Sequence, residues 1–124
     1  MIQGIVNAKL EAVVRLSLRG SRKHLEVEAV VDTGFSGTLV LPSELVKELG
    51  LRRRYEGSAI LADGSQRFFD IYEALIFWNS HVLRIPVGVM DSSPLMGMSL
   101  LQGSELALQV VEGGEVFIRE LDVS

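Results

Sequence analysis

One short stretch places a carboxylate between two apolar segments. It reads EAVVDTGFSGTLVLP and covers residues 28–42. An apolar run leads into Asp32, Thr33 and Gly34, and a second apolar run covers residues 39–41. A carboxylate between buried segments is costly unless it is hydrogen-bonded or neutralised. The fold must therefore bury both flanking segments and still provide a partner for Asp32.

Read locally, this stretch is a turn. The dipeptide Ser36-Gly37 and the tripeptide at Asp32 are both rich in turn-forming residues. The Asp32 side chain could accept hydrogen bonds from nearby backbone N–H groups, which is a purely structural role. This interpretation stays open beside any catalytic one.

Most of the other segments are typical of strands. Residues 24–31 alternate so that Leu25, Val27 and Ala29 share one face. A final strand pair is predicted over residues 106–111 and 115–121. The predicted fold class is mainly β with one or two short helices. Strands that are apolar on both faces favour a closed, barrel-like sheet.

One helix is predicted over residues 43–50. Pro42 suits its start, Glu44 suits its positive N-terminal end, and Gly50 suits its stop. A second, shorter helix is predicted over residues 98–102. The apolar face of the first helix consists of Leu45, Val46 and Leu49.

Turn signals predict two hairpins in the middle of the chain. Asp63-Gly64 is a favoured two-residue turn, and Asn79-Ser80 marks the next turn. The basic cluster Arg52-Arg53-Arg54 follows the predicted helix, and we expect it in a solvated turn.

Composition narrows the function further. The 124 residues suffice for a single domain, predicted over residues 1–124. The net charge of -4 argues against nucleic-acid binding, and no apolar run approaches the ~20 residues that span a bilayer. The chain lacks cysteine, which fits a reducing compartment, and it shows no signal peptide, so we expect a cytoplasmic protein. Its 48% hydrophobic content suggests apolar surface buried against a partner chain.

An ordered series of features resembles the retropepsin-like aspartic proteases, specifically their small bacterial and archaeal members. An apolar strand leads into the Asp-Thr-Gly tripeptide, with Ser36 shortly after it. The hairpin at Asp63-Gly64 stands where this family carries its flap. Leu95-Met96-Gly97 is similar to the segment behind the family's catalytic loop, and a short helix and a strand pair follow. The resemblance implies the closed acid-protease barrel.

The resemblance also implies the chemistry. Aspartic proteases hydrolyse peptide bonds with two carboxylates that share one proton, without a metal or other cofactor. One chain with a single Asp-Thr-Gly supplies half of this pair. The resemblance therefore implies a homodimer, in which a second Asp32 neutralises the first, acting on a peptide or unfolded protein.

Site roles follow from the resemblance, position by position. The catalytic loop is assigned to Asp32, Thr33 and Gly34. Substrate contacts are assigned to Phe35, Ser36, Ala62, Asp63 and Gly64. Structural support behind the loop is assigned to Leu95, Met96 and Gly97.

Two departures from the family pattern keep an alternative open. Phe35 stands where retropepsins usually carry alanine, and the flap tip has a single glycine. Both features suit a catalytically inactive retropepsin-like module that dimerises or binds an extended peptide. A chance turn in an unrelated β-barrel is the third reading.

Overall fold

The computed structural model describes residues 1–122, and of Ala59 it describes the backbone only. The last two residues of the predicted domain lie outside this range. Within it, the chain forms ten strands and two short helices. The strands are β1 Ile2–Val6, β2 Ala12–Arg19, β3 His24–Val31, β4 Leu39–Leu41, β5 Arg52–Ile60, β6 Gln66–Trp78, β7 His81–Val89, β8 Leu95–Met96, β9 Ser104–Leu108 and β10 Glu115–Glu120. The helices are α1 Ser43–Leu49 and α2 Met98–Leu101.

All ten strands belong to one sheet, in the order β5-β6-β7-β4-β8-β3-β2-β1-β10-β9. The sheet also returns on itself, because β6 pairs with β2 through Leu18↔Ile76 and Arg19↔Leu75. The predicted mainly β class with short helices is confirmed. Closure into a barrel stays a prediction, since this contact involves only two residue pairs.

The core lies on one face of the alternating strands. In β2 the buried side chains are Val14, Leu16 and Leu18, which are spaced two residues apart. In β3, Val27 and Ala29 are buried and Leu25 packs against the same cluster, as the sequence pattern predicted. Burial of this alternating face is the main stabilising contribution to such a sheet.

Helix α1 begins and ends where the sequence predicted. Pro42 precedes it, and Gly50 follows it with φ of 70°, a left-handed conformation that favours glycine. The Gly50 N–H donates to the carbonyls of Val46 and Lys47, which closes the last turn. Leu49 is fully buried, so the apolar face of the helix covers the core.

The predicted turn at Arg52-Arg53-Arg54 is wrong, because these residues begin β5. A bulge between Arg53 and Tyr55 interrupts the pairing of β5 with β6. Carboxylates on β6 form ion pairs with these arginines: Arg53 Nε lies 2.8 Å from Asp70 Oδ1, and Arg54 Nε lies 3.4 Å from Glu73 Oε2. The hydrogen bond and the charge of Asp70 raise the pKa of Arg53.

The two hairpin turns differ from each other. Asn79-Ser80 is the predicted two-residue turn, with φ of 49° and 67°. The predicted two-residue turn at Asp63-Gly64 is wrong, because the loop is longer. The Leu61 N–H donates to the Ser65 carbonyl at 2.8 Å, so Ala62, Asp63 and Gly64 together form a three-residue loop. Gly64 has φ of 87°, which is typical of the last residue of such loops.

Candidate active site

The Asp32 loop connects two strands that are not neighbours in the sheet. It leaves β3 and enters β4, and β8 lies between them. Val31 pairs in parallel with Met96, and Leu39 pairs antiparallel with the same residue. Strand β8 therefore pairs with the residues at both ends of the loop. The loop crosses from one side of β8 to the other at one edge of the core.

Backbone hydrogen bonds hold Asp32 at the end of β3. Its N–H donates to the Met96 carbonyl at 2.9 Å, and its own carbonyl accepts from the Phe35 N–H at 3.1 Å. The carboxylate oxygen Oδ1 accepts from the Gly34 N–H at 2.9 Å. Asp32 is half-buried, and Thr33, Gly34 and Ser36 are exposed. In the single chain, the turn itself therefore provides a partner for the carboxylate, and Thr33, Gly34 and Ser36 face solvent.

The segment assigned to structural support, with the two residues that follow it, is hydrogen-bonded to the loop. The Gly97 N–H donates to the Thr38 carbonyl at 2.9 Å, and the Met98 N–H donates to the Phe35 carbonyl at 2.8 Å. Ser99 adds two bonds, from its N–H to the Gly37 carbonyl at 3.0 Å and from its Oγ to the Ser36 carbonyl at 2.6 Å. Sequence reasoning missed Ser99, because no spacing rule connects it to a loop 63 residues earlier.

Gly97 is buried where the loop and the β8–α2 junction meet. A Cβ atom on this residue would overlap the Gly37 carbonyl oxygen and would lie 2.8 Å from the Phe35 carbonyl oxygen. Both obstacles are backbone atoms, which cannot rotate away. The close approach of the two segments therefore requires glycine at this position.

The Phe35 ring lies against the loop's own backbone. It is half-buried, and its Cε1 would lie 2.6 Å from a Cβ atom on Gly37. The same ring's Cδ2 would lie 2.6 Å from a Cβ atom on Gly97. The ring thus occupies the space that two glycines leave open, on the side of the β8–α2 junction.

The β5–β6 hairpin tip is exposed and makes its hydrogen bonds internally. Asp63 Oδ1 accepts from the Ser65 Oγ at 2.6 Å and from the Ser65 N–H at 2.9 Å. The Ser65 hydroxyl, followed by its N–H, lowers the pKa of Asp63. Apolar side chains flank the tip: Ile60 is 78% exposed and Phe68 is 59% exposed. The tip formed by Ala62, Asp63 and Gly64 thus carries one carboxylate, and exposed apolar side chains lie on both strands beside it.

Replacement of Ser65 by alanine tests the hydrogen bond at this tip. Ser65→Ala is expected to raise the pKa of Asp63, because it removes the larger of the two contributions that lower it. The folded-state pKa lies below the unfolded one, so this contribution to stability is present above the unfolded pKa. It is lost as the pH falls through the folded pKa. An NMR titration of the Asp63 carboxyl group measures the shift. Ser58→Ala, an exposed change in the same hairpin, is the control, and an equal pKa in both variants would contradict the assignment.

Neither a metal site nor a membrane segment is found in the described part of the chain. Among residues 1–122, no group of three or more His, Asp or Glu side chains is placed to hold a metal ion. Within the same range, no helix has the length and apolar character to cross a membrane.

Comparison with known proteins defines the fold class. No protein-family model matches the sequence, and the search of curated proteins gives no match. Solved structures do match, and they are retropepsin-like aspartic proteases. The chain therefore has the retropepsin-like fold, and the resemblance seen in the sequence is confirmed at that level.

Two solved structures with a similar fold are compared with this chain by TM-score, sequence identity and coverage. EIAV protease, solved in complex with the inhibitor HBY-793, has a TM-score of 0.61 and 19% identity, and the match covers 77% of this chain and 89% of that one. A retropepsin-like aspartic protease from Rickettsia conorii has a TM-score of 0.60 and 15% identity, with 97% and 90% covered. At such identities the likeness is one of fold, and function must be argued from the site.

Proposed function

We propose that this chain is an aspartic endopeptidase that hydrolyses peptide bonds as a homodimer. The observation that carries the proposal is the position of Asp32-Thr33-Gly34 within the fold. The tripeptide lies on the loop between β3 and β4, supported from behind by β8 and Gly97. The proposal also includes barrel closure: the sheet returns on itself through β2 and β6 and would form the closed barrel of the acid proteases.

The proposed mechanism uses two Asp32 side chains, one from each copy. Like charges a few ångströms apart cannot both ionise, so the pair holds one proton. The ionised carboxylate takes a proton from water, and the protonated one donates a hydrogen bond to the scissile carbonyl. The Gly34 N–H fixes Oδ1, and no other hydrogen bond to this carboxylate is formed within residues 1–122. Oδ2 is therefore available for water or for the partner carboxylate.

The remaining residues would hold the substrate and the partner. Thr33, exposed beside Asp32, would bond across the two-fold axis and lock the two loops. Ser36 keeps its side chain exposed while its carbonyl is fixed by Ser99, so its hydroxyl can bond a peptide backbone. The hairpin tip at Ala62–Gly64 would cover the bound peptide, with the exposed Ile60 and Phe68 beside it.

Exposed apolar side chains support association of two copies. Within residues 1–122, they include side chains on the β5–β6 hairpin, around the β6–β7 turn and near both ends of the chain. The most exposed of these are Met1, Ile5, Leu10, Ile60, Val110 and Val111. Large exposed apolar areas on soluble proteins mark interaction sites. These exposed side chains agree with the expectation that part of the apolar content is buried against a second chain.

Activity per chain is expected to fall as the protein is diluted. A site shared by two copies disappears when the dimer dissociates, so cleavage should follow the dimer fraction and not the chain concentration. Analytical ultracentrifugation would give the dimer fraction, and cleavage of an unfolded peptide library would give the activity. A protein that stays monomeric at high concentration and still cleaves would contradict the proposal.

The second candidate function is a catalytically inactive module that dimerises or binds an extended peptide. One observation favours it: the Gly34 N–H bond to Asp32 is also what a purely structural turn would form. This module would bind unfolded peptides saturably and would release no products over long incubation. The same ultracentrifugation and peptide experiment therefore separates the two functions.

A further inference from the structure

We infer that Phe35 is a positioning residue for the Asp32 loop, and not the substrate contact that its place in the sequence predicts. The inference starts from the surroundings of Gly37. The three atoms nearest to a Cβ built on Gly37 all belong to the Phe35 ring, and the third of them, Cε2, lies at 3.4 Å. The space above Gly37 is therefore filled by the ring, and all other atoms keep ordinary contact distances.

The ring also reaches the second segment of the site. Its Cδ2 is one of the three atoms nearest to a Cβ on Gly97, at 2.6 Å. Gly37 belongs to the loop, whereas Gly97 belongs to the junction of β8 and α2. One phenyl ring thus contacts both segments, and the absence of side chains at the two glycines provides its position.

The backbone of Phe35 acts on the same junction. Its N–H donates to the Asp32 carbonyl at 3.1 Å, and its carbonyl accepts from the Met98 N–H at 2.8 Å. The ring and the backbone together tie the turn that begins at Asp32 to the segment behind it. A smaller side chain would leave the hydrogen bonds in place but would open a void between the two segments.

For catalysis, the consequence is a fixed carboxylate; this part of the inference rests on the proposed function. Small displacements of a catalytic group cost up to about 100-fold in rate. Truncation of Phe35 is therefore expected to lower kcat about 10-fold or more, with KM and the set of cleaved bonds unchanged. A substrate contact would behave differently, because its loss changes KM and the choice of cleaved bonds.

A double-mutant cycle between Phe35 and Gly37 tests the packing without any need for activity. Phe35→Ala is expected to lower the melting temperature by about 5–10 °C, since a half-buried ring is lost. Gly37→Ala should also lower it, because the new Cβ displaces the ring. The double variant should melt close to Phe35→Ala alone, because the obstacle to the alanine is gone. Additive shifts in the double variant would overturn the inference.

The control replaces the other glycine. Gly97→Ala also meets backbone atoms, so Phe35→Ala should not rescue it. If Phe35→Ala does not fold, Phe35→Leu replaces it in the cycle and should retain most of the stability and of kcat. If the wild-type protein cleaves nothing, the proposed function fails, and the melting temperatures alone decide the role of Phe35. An altered KM or cleavage pattern with additive melting temperatures would restore Phe35 as a substrate contact.

Discussion

Asp32→Asn is expected to abolish cleavage of unfolded peptides while leaving the fold intact. The amide cannot take a proton from water, and a dimer of such chains holds no ionisable group at the catalytic position. Loss of general acid–base catalysis alone is worth about 10²–10⁴-fold, so we expect a loss of at least about 10³-fold. The asparagine Oδ1 can still accept the Gly34 N–H, so the melting temperature should change little. Peptide cleavage followed by mass spectrometry and thermal unfolding measure the two effects.

The same substitution at Asp91 is the matched control. Asp91 is exposed and also lies in a loop, but glycine does not follow it at the position that Gly34 has after Asp32. Asp91→Asn should therefore cleave as the wild type does. Persistent cleavage by Asp32→Asn at the wild-type rate would show that the catalytic assignment is wrong.

A mixture of chains distinguishes a shared site from two independent sites. Equal amounts of wild-type and Asp32→Asn chains, exchanged freely, form about one quarter wild-type dimers. If both carboxylates are required, activity should fall to about one quarter of that of an all-wild-type sample. If each chain acted alone, half of the activity would remain. The second result would keep Asp32 catalytic but would contradict the two-carboxylate mechanism.

Local signals in the sequence account for much of the fold. Helix α1 was predictable because Pro42 and Gly50 fix its two ends and its apolar residues share one face. The Asn79-Ser80 turn was predictable because a two-residue turn needs residues that tolerate positive φ. In each case, neighbours along the chain determine the structure, so the pattern is visible without knowledge of distant contacts.

The errors occurred where distant residues decide the structure. Arg53 pairs with Tyr72 on β6, and its side chain reaches Asp70 on the same strand. An apolar pattern gives no sign of such an ion pair between strands. The loop at Asp63 contains three residues because Leu61 and Ser65 close it, whereas a two-residue turn at Asp63-Gly64 would be closed by Ala62 and Ser65. Strand register of this kind is set across the sheet, and sequence spacing alone does not determine it.

The candidate site divides in the same way. The Asp32 tripeptide is contiguous, so its resemblance to the aspartic proteases could be recognised from the sequence. The insertion of β8 between β3 and β4 brings together residues more than 60 positions apart, such as Ser36 and Ser99. The insertion also places Gly97 beside the Phe35 ring. The resemblance assigned Phe35 to substrate contact, and no spacing in the sequence indicates that its ring lies beside Gly37 and Gly97.

Gly97→Ala is expected to destabilise the protein by about 3 kcal/mol. The new methyl group would overlap the Gly37 carbonyl oxygen, and overpacking against backbone typically costs about 1–3 kcal/mol or more. To relieve the overlap, the loop must move away from β8, which weakens the Gly97–Thr38 and Met98–Phe35 hydrogen bonds. Thermal unfolding should show a melting temperature about 10 °C lower. If the protein is active, cleavage should also fall at temperatures where the variant is folded.

Gly88→Ala separates this clash from the general effect of replacing glycine. Gly88 lies on β7, beside β4, and a Cβ there would meet its nearest atom, Val40 Cγ2, at 3.7 Å, which is an ordinary contact. Because alanine has less freedom than glycine in the unfolded chain, this variant should be as stable as the wild type or more stable by up to about 1 kcal/mol. If Gly97→Ala lowers the stability and Gly88→Ala does not, the destabilisation comes from the contact behind Asp32. Equal shifts would mean that the loop and β8 are not tightly packed, and the argument that Gly97 holds the Asp32 loop in place would fail.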